Sequence, residues 1–305
     1  MTIAAPKASA DNVPKAIILV IFAMISFATQ DAIIKILAAD YPAVQVAWVR
    51  FVILPFIAVA YAWHRGALPN AFKSARPRLQ IVRCSMIILD ILTFVVALKF
   101  LPLADMHALV ATSPLIIIAL SALFLREKVG TRRWAAVAVG FIGVLIIVRP
   151  GITVFQPGSA LGLAAAFLFS AYIVLTRAVS RYDSTETSFL YFAFFGLVVT
   201  TVFGPFFWVK PTPEAWFWLI VLSLVSAFSH LLLMMALELA PASILQPFNY
   251  LLLPLAAVFG LLIFNEFPDK WVIVGAVIIV ASGLYAYFRE RKLARDTKSN
   301  QPDAA

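Results

Sequence analysis

Long apolar segments fill almost the whole chain, and this feature limits its fold more than any other. We read ten of them between Lys15 and Phe288, each about as long as a bilayer crossing. A hydrocarbon core about 30 Å thick takes about 20 helical residues per crossing, and only helices or closed barrels keep every backbone group hydrogen-bonded there. The segments lack the ~10-residue alternation of barrel strands. The sequence therefore predicts an all-α membrane protein.

The ten predicted transmembrane helices leave only short connections and two tails. The spans are residues 15–37, 43–62, 79–99, 103–125, 132–148, 158–179, 187–208, 214–237, 241–264 and 271–288. A polar tail is predicted at residues 1–14 and a basic tail at residues 289–305. Because 63% of the residues are hydrophobic and only 13% are charged, no soluble domain of useful size is expected.

The distribution of positive charge predicts the orientation. Seventeen Lys and Arg residues fall in tails and loops on the side of the N-terminus, and three, Arg149, Lys210 and Lys270, on the opposite side. The positive-inside rule therefore places both termini in the cytoplasm. Cations beside an anionic leaflet also account for the net charge of +9. We expect the lipid bilayer, and no nucleic acid, as the partner of these charges.

The last five spans repeat the lettering of the first five. Residues 97–102 align with residues 236–241, and residues 27–35 align with residues 169–177. Because each half has five crossings, the second half is inverted relative to the first, with the halves at residues 15–149 and 158–288. Inverted repeats are a design of secondary transporters, whose solute site lies near the midplane where the halves meet. A duplication that only built a scaffold is the alternative.

Ionisable side chains within the spans are the first candidates for such a site. A charge near the bilayer centre costs about 2.5–3.5 kcal/mol on insertion scales, so it is expected to face the bundle interior. Asp90 lies halfway along the third span, with Arg83 two turns earlier on the same face. The repeat places Asp90 opposite Ser229, next to His230. We predict solute binding or proton exchange for Asp90 and His230, with a structural interhelical hydrogen bond as the alternative.

A second polar group is predicted on the fourth and ninth spans. His107 aligns with Gln246, and Asn249 and Tyr250 follow Gln246 on the same helical face. This face offers donors and acceptors to a polar ligand. Contacts between helices explain it equally well, since Pro247 loosens the local backbone bonding and raises the need for polar partners.

The first and second spans add further polar candidates. Asp31 and Lys35 are one turn apart and are expected to neutralise one another. Asp31 also follows Gln30, whose counterpart in the second half is Tyr172, and these three residues are secondary site candidates. Arg50 has three candidate partners: Asp31, a carboxylate of the solute or a lipid phosphate.

Paired glutamates and prolines have structural interpretations. Glu127 and Glu266 each precede the fifth helix of their half, where a carboxylate would favour the positive end of the helix dipole. Pro114 and Pro254 are expected to kink the fourth and ninth helices and to serve as hinges.

Enzymes and channels are the main alternatives from other classes. The sequence has no His-Glu-x-x-His motif, nucleophile elbow or P-loop, and His64, His107 and His230 show no metal-ligand spacing. The single cysteine, Cys84, excludes an internal disulfide. We predict no enzyme activity, no catalytic residue, no metal site and no cofactor. A channel would use rings of identical groups, whereas the polar groups here differ between the halves.

The order of several short motifs resembles the EamA-type drug/metabolite transporter superfamily. Lys35 and Arg177 close the first helix of each half, and residues 48–51 lie in the second helix of the first half. Residues 125–127 and 264–266 follow the fourth helix of each half, and the fifth helices end in glycine at 135–143 and 275–283. The likeness covers about residues 15–288. Residues 31–35, 41–50 and 265–270 are most similar to bacterial members that include S-adenosylmethionine and riboflavin uptake carriers. In one departure, Phe192 takes the place in the second half that Arg50 has in the first.

This resemblance implies a cavity formed by the first four helices of each half. The fifth and tenth helices would lie at the periphery, where they brace the bundle or form a homodimer. It also implies a multi-pass protein of the bacterial inner membrane. Together with the polar residues, it predicts a carrier of small organic metabolites that works by alternating access, driven by a proton or solute gradient. S-adenosylmethionine-like or riboflavin-like substrates fit the subgroup, and export of amino acids or xenobiotics is the alternative.

Overall fold

A computed structural model of the protein describes residues 12–124, 131–148, 157–240, 245 and 248–299. Every regular element in these ranges is helical, so the all-α prediction is confirmed for this part of the chain. The α-helices are α1 (Val13–Asp40), α2 (Ala43–His64), α3 (Leu68–Ala71), α4 (Pro77–Ala97), α5 (Leu103–Val110), α6 (Ser113–Phe124), α7 (Thr131–Val148), α8 (Pro157–Val179), α9 (Thr185–Phe203), α10 (Pro213–Leu239), α11 (Leu252–Phe264) and α12 (Lys270–Ser299). A 3-10 helix at Gly204–Phe207 follows α9.

Within the ranges that the structure describes, seven apolar helical segments are long enough to cross a membrane. They are Val13–Asp40, Ala43–His64, Pro77–Ala97, Leu103–Leu120, Pro157–Val179, Thr185–Phe207 and Pro213–Leu239. Three shorter apolar helices lie at Trp134–Ile147, Leu252–Phe264 and Lys270–Tyr285. The count of ten crossings and the cytoplasmic termini stay predictions.

Prolines set the start of several long helices. Pro77, Pro157 and Pro213 are the first residues of α4, α8 and α10. A proline suits this position because its fixed φ is helical and its missing N–H would have no partner in the first turn. At α10 the side chain of Thr212 also accepts a hydrogen bond from the Ala215 N–H at 3.1 Å, which caps the helix.

The predicted fourth span is a broken helix. α5 ends at Val110 and α6 begins at Ser113, with Pro114 as its second residue. Proline cannot donate to the carbonyl four residues earlier and its ring clashes with that carbonyl, so the helix is interrupted there. In the second half, a turn that includes Tyr250 precedes α11, which begins at Leu252. Pro254 is the third residue of α11. The kinks expected from these prolines are therefore accompanied by interruptions of the helix.

The helices of the two halves pack in reciprocal pairs. α1 packs on α10 and α4 on α8, while α2 packs on α9, α5 on α11 and α7 on α12. This is the pattern that a two-fold axis between the halves would produce. α7 and α12 cross where a Cβ added to Gly143 would lie 2.8 Å from the carbonyl oxygen of Gly275. Small residues let the two backbones approach this closely.

Buried apolar side chains form two separate clusters. Along α1, Ala16 to Ala28 belong to the first cluster and Ala32 to Ala38 to the second. Along α2, Phe51 and Leu54 belong to the first cluster, whereas Val46 and Val49 belong to the second. The boundary between the clusters thus falls at Gln30 and Asp31 on α1. On α2 the two clusters meet around Arg50, since Ala47 also belongs to the first cluster.

Candidate functional site

A cavity lies at this boundary and is lined by polar side chains from five helices. These side chains are Gln30 and Asp31 on α1, Arg50 on α2, Asp90 on α4, His107 on α5 and His230 on α10. All six are buried in the bundle. The structure therefore brings together six of the residues singled out from the sequence, which lie on helices far apart along the chain.

Asp31 contacts two neighbours at one side of the cavity. Gln30 Nε2 donates to Asp31 Oδ1 at 3.2 Å, and His107 Nε2 lies 3.2 Å from Asp31 Oδ2. The contact with His107 links α1 to the first segment of the broken helix. Asp31 is therefore paired within its own half of the protein.

Arg50 and Asp90 line the same cavity without such partners. The side chain of Arg50 is 1% exposed, and its Nε and Nη2 atoms have no hydrogen-bond partner among the described residues. Its guanidinium carbon lies 5.1 Å from the centre of the Phe51 ring. Asp90 makes no hydrogen bond or ion pair with a described residue. Both side chains can therefore meet a molecule in the cavity, although they also interact electrostatically with each other and with Asp31.

His230 reaches the cavity from a cluster of aromatic rings. The centre of its imidazole lies 5.0 Å from the ring centre of Phe27, 4.7 Å from that of Phe192 and 6.3 Å from that of Tyr172. Its Nδ1 atom is buried and has no partner within the described ranges. Tyr172 is fully buried in this cluster and is not among the residues that line the cavity.

A second, smaller cavity adjoins the first and shares His107 with it. Asn249 and Tyr250 line this second cavity, next to the break before α11. The Tyr250 side chain packs against Gly283 of α12 so closely that a Cβ there would collide with its hydroxyl. Gln246, the fourth residue of the predicted group, lies outside the described residues.

Arg83 lies away from the cavity, although it shares a helical face with Asp90. Its Nε atom donates to Gln80 Oε1 at 3.0 Å, and its Nη2 atom donates to the carbonyl oxygen of Ser188 at 2.6 Å. Because Ser188 belongs to α9, this side chain joins α4 of the first half to the second half.

Polar contacts between the halves form one layer at the end of the bundle where α1 begins. We call this the near layer and define it by Ser74, Ala75, Gln80, Asp183 and Ser188. Asp183 accepts hydrogen bonds from the Ser74 hydroxyl, from the Ala75 N–H at 2.7 Å and from Gln80 Nε2 at 2.8 Å. Gln80 Nε2 also lies 3.2 Å from Ser188 Oγ. A single carboxylate of the second half thus holds three donors of the first.

A matching layer lies at the other end of the bundle, near the end of α1. This far layer consists of Lys35, Gln45, Leu103, Val209 and Glu266. Lys35 Nζ lies 2.6 Å from Glu266 Oε2, which also accepts a hydrogen bond from the Leu103 N–H at 3.2 Å. Gln45 donates to the Val209 carbonyl oxygen at 2.7 Å and accepts from the Val209 N–H at 2.8 Å. The cavity therefore lies between two sets of contacts that join the halves.

The local chain geometry places Glu266 at this junction. Asn265 adopts a left-handed conformation with φ of 53° and ends α11. The Asn265 N–H donates to the Leu261 carbonyl oxygen at 3.2 Å, which is the bond of the αL motif, and the Glu266 N–H donates to the Gly260 carbonyl oxygen at 2.9 Å. Asparagine tolerates the left-handed region better than most residues, so the Asn265-Glu266 pair suits this turn.

Two expectations about these charges are wrong. Lys35 pairs with Glu266 of the second half, whereas the sequence favoured Asp31. Glu266 caps the start of α5 through Leu103, while the N–H of Trp271 in α12 is capped by Asp269 Oδ1 at 2.8 Å. Both corrections have one cause: the way the halves dock brings Glu266 beside α1 and α5. The other glutamate of the pair, Glu127, lies outside the described residues.

Sequence reasoning missed the aromatic walls of the cavity. Phe27 and Phe169 both line it. The repeat aligns these two positions, so their equivalence in the two halves was the signal that pointed to them.

Comparison with known proteins assigns the family. The EamA-like transporter family matches residues 14–149 and again residues 156–288. The chain belongs to this family. It is a multi-pass transmembrane transporter of the cell membrane, as the resemblance implied.

Similar proteins include transporters named for uptake and for export. This EamA-family chain is 26% identical to the S-adenosylmethionine uptake transporter of Rickettsia bellii, with 89% of this chain and 93% of that protein covered. It is 30% identical to the riboflavin transporter of Vibrio cholerae, with 90% and 91% covered. It is 27% identical to the pseudopaline exporter CntI of Pseudomonas aeruginosa, with 89% and 95% covered.

The fold is shared with a protein of known structure. A crystal structure superposes with a TM-score of 0.67 at 19% identity, covering 92% of this chain and 99% of the other. This likeness concerns the fold alone.

Proposed function

We propose that the protein is a secondary carrier that moves a small organic metabolite by alternating access and binds it in the central cavity. One observation carries the proposal: six buried polar side chains from five helices surround one cavity between the two halves. Buried ionisable residues in a membrane bundle are costly, so they are functional candidates by default. The carrier would cross the membrane ten times, with two inverted five-helix halves and both termini in the cytoplasm.

The size of the cavity supports a mechanism that involves movement. Its volume is about 60 Å³, which suits a few water molecules, since one buried water needs roughly 10–15 Å³. A metabolite the size of S-adenosylmethionine or riboflavin would need the helices to separate. The breaks before Pro114 and Pro254 lie beside the two cavities and would act as the hinges.

The near and far layers would be the two barriers of the transport cycle. Both are closed in the structure, one on each side of the cavity. Breaking the near layer would open the cavity toward the start of α1, and breaking the far layer would open it toward the opposite end. Alternating access requires that the two layers open at different times.

The candidate residues would divide the work of binding and coupling. Asp90, with Asp31 as the second candidate, would hold a proton or a cationic part of the solute. His230, Gln246, Asn249 and Tyr250 would bind its polar edge. S-adenosylmethionine-like and riboflavin-like compounds are the proposed substrates, because relatives are named for them. Export is the alternative direction, which the similarity to the pseudopaline exporter supports.

A ligand screen followed by flux measurements tests the proposal. Purified protein would be screened by thermal shift against metabolites, and each hit would be measured for uptake and release in proteoliposomes with and without a pH gradient. We expect saturable flux with counterflow, which a channel would not show, and unchanged solute, which an enzyme would not leave. In the Asp90→Asn variant, gradient-driven flux should disappear while the protein stays folded. Undiminished gradient-driven transport in this variant would remove Asp90 from the coupling mechanism.

A further inference from the structure

Arg50 presents one edge of its guanidinium group without protein partners. Its side chain lines the central cavity and is 1% exposed. The two donors that lack a hydrogen-bond partner among the described residues are Nε and Nη2. These atoms lie side by side, and their N–H bonds point in the same direction. This edge matches the two oxygens of a carboxylate or phosphate, which arginine binds through paired hydrogen bonds.

In Arg83, by contrast, acceptors of the protein itself bind the Nε–Nη2 edge of the guanidinium group. Like Arg50, Arg83 is buried within the bundle. Its Nε and Nη2 atoms are both bonded, to the Gln80 side chain and to the Ser188 carbonyl oxygen. The two arginines therefore differ at this edge: in Arg83 it is filled by protein acceptors, and in Arg50 it meets the cavity.

The structure removes two of the three partners that the sequence allowed for Arg50. Arg50 interacts electrostatically with Asp31 and Asp90, but no ion pair within 4.0 Å joins it to an acid of the described ranges, and Asp31 lies in direct contact with Gln30 and His107 instead. A lipid phosphate is excluded because the side chain is buried inside the bundle. The remaining partner is an anionic group of the solute.

We propose that the Nε–Nη2 edge of Arg50 binds an oxyanion of the transported solute, either a carboxylate or a phosphate. This inference rests on the proposed function and specifies the class of its substrate. The Phe51 ring, 5.1 Å from the guanidinium carbon, supports the charge from one side without occupying its donors. Asp90 lines the same cavity. A solute that also carries a cation or a hydrogen-bond donor would therefore contact Arg50 through its anionic group and Asp90 through that other group.

At this position of the internal repeat, only the first half carries an arginine. Phe192 takes the place in the second half that Arg50 has in the first, and its ring packs 5.3 Å from Phe51 and 4.7 Å from His230. The second half therefore offers aromatic surface where the first offers a cation. A solute would accordingly bind in one orientation, with its anionic group toward α2.

Small anions test the assignment without knowledge of the natural solute. The melting temperature of the purified protein would be measured in sodium acetate, in sodium phosphate and in sodium chloride at equal ionic strength. We expect saturable stabilisation by acetate or by phosphate beyond that of chloride, and the anion that stabilises more identifies the chemistry. Acetate suits the present size of the cavity.

Three variants make the test specific. Arg50→Gln should weaken anion binding at least tenfold, and Arg50→Lys should also weaken it, because lysine keeps the charge but not the paired donors. Arg65→Gln removes an exposed cation and should behave like the unmodified protein. The proposal would be overturned if acetate and phosphate raised the melting temperature of the unmodified protein no more than chloride does. An unchanged anion response in Arg50→Gln, or full anion binding by Arg50→Lys, would also overturn it. If Arg50→Gln does not fold, the comparison of Arg50→Lys with the unmodified protein decides.

The anion measurement is independent of flux. Absence of transport in proteoliposomes together with Arg50-dependent anion binding would contradict the carrier proposal and leave an oxyanion site. Transport without Arg50-dependent anion binding would contradict the oxyanion site and leave the carrier.

Discussion

Lys35 and Glu266, which are 231 residues apart in the chain, form an ion pair with 2.6 Å between Nζ and Oε2. The pair joins α1 of the first half to the turn after α11 of the second. The two side chains are 13% and 30% exposed, so solvent screens the pair only in part. It closes the end of the bundle that lies one helical turn beyond Asp31.

The Glu266→Gln substitution should weaken the far layer and favour opening at this end. Breaking a partly buried pair is expected to cost about 1–3 kcal/mol, between the values for exposed and buried pairs. The melting temperature should therefore fall. Arg65→Gln serves as the control, because Arg65 is 61% exposed in its pair with Glu186 and should contribute less than about 1 kcal/mol. Equal effects of the two substitutions would contradict the special position of Glu266.

Opening can be followed with a cysteine in the cavity wall. Ile34 lines the cavity from α1, and replacing Cys84 with Ser removes the single native cysteine. In an Ile34→Cys, Cys84→Ser background, an impermeant thiol reagent would be applied separately to each side of oriented vesicles. Glu266→Gln should raise labelling only from the side where α1 ends. Faster labelling from both sides would show general loosening of the bundle.

The Asp183→Asn substitution should have the opposite directional effect. Asp183 accepts three hydrogen bonds from the first half, and an amide has one acceptor oxygen where the carboxylate has two. The near layer should weaken, so the same reporter should be labelled faster from the side where α1 begins. Identical labelling patterns for Asp183→Asn and Glu266→Gln would contradict the assignment of two separate barriers.

The contact between α7 and α12 should tolerate no added methyl group. A Cβ on Gly275 would lie 2.6 Å from the Gly143 carbonyl oxygen, and backbone cannot move aside as a side chain can. Gly275→Ala should therefore cost about 1–3 kcal/mol, as overpacking does, and lower the melting temperature. Gly260→Ala is the matched control, since the nearest atom to its Cβ would be 3.7 Å away. Alanine favours helix over glycine by roughly 1 kcal/mol, so that control should be neutral or stabilising. A lower melting temperature in the control alone would contradict the packing argument.

The sequence was sufficient to predict an all-helical fold and the six polar residues that line the cavity. An ionisable side chain in a continuous apolar run has to face the bundle interior, and this rule, together with the repeat, selected Asp31, Asp90, His107 and His230. The repeat then indicated that Asp90 and His230 lie at similar depths. These inferences need only the period of the helix and the cost of a charge in lipid.

Contacts between the halves could not be predicted in the same way. Lys35 was paired with Asp31 because the two are neighbours on one helix, yet its partner comes from the other half. Arg83 shares a face with Asp90, but it lies two turns nearer the start of α4, where that face meets Ser188 on α9. Helical periodicity defines which residues share a face, whereas the docking of one half on the other decides what that face meets.

His230 combines a packing role with a proposed binding role, and two substitutions separate them. Its ring lies among Phe27, Phe192 and Tyr172, so the His230→Ala variant should leave a void and lose about 2–4 kcal/mol of stability. The His230→Phe variant keeps a ring of similar shape and should remain close to the unmodified protein in melting temperature. It removes the ring nitrogens, however, including the buried Nδ1 that lacks a partner among the described residues. If the imidazole binds the solute, His230→Phe should lower the affinity measured by ligand thermal shift about tenfold, since a hydrogen bond contributes about 0.5–1.5 kcal/mol and more when a group is left unpaired. Normal affinity and flux in a stable His230→Phe variant would show that His230 serves only to pack the aromatic cluster.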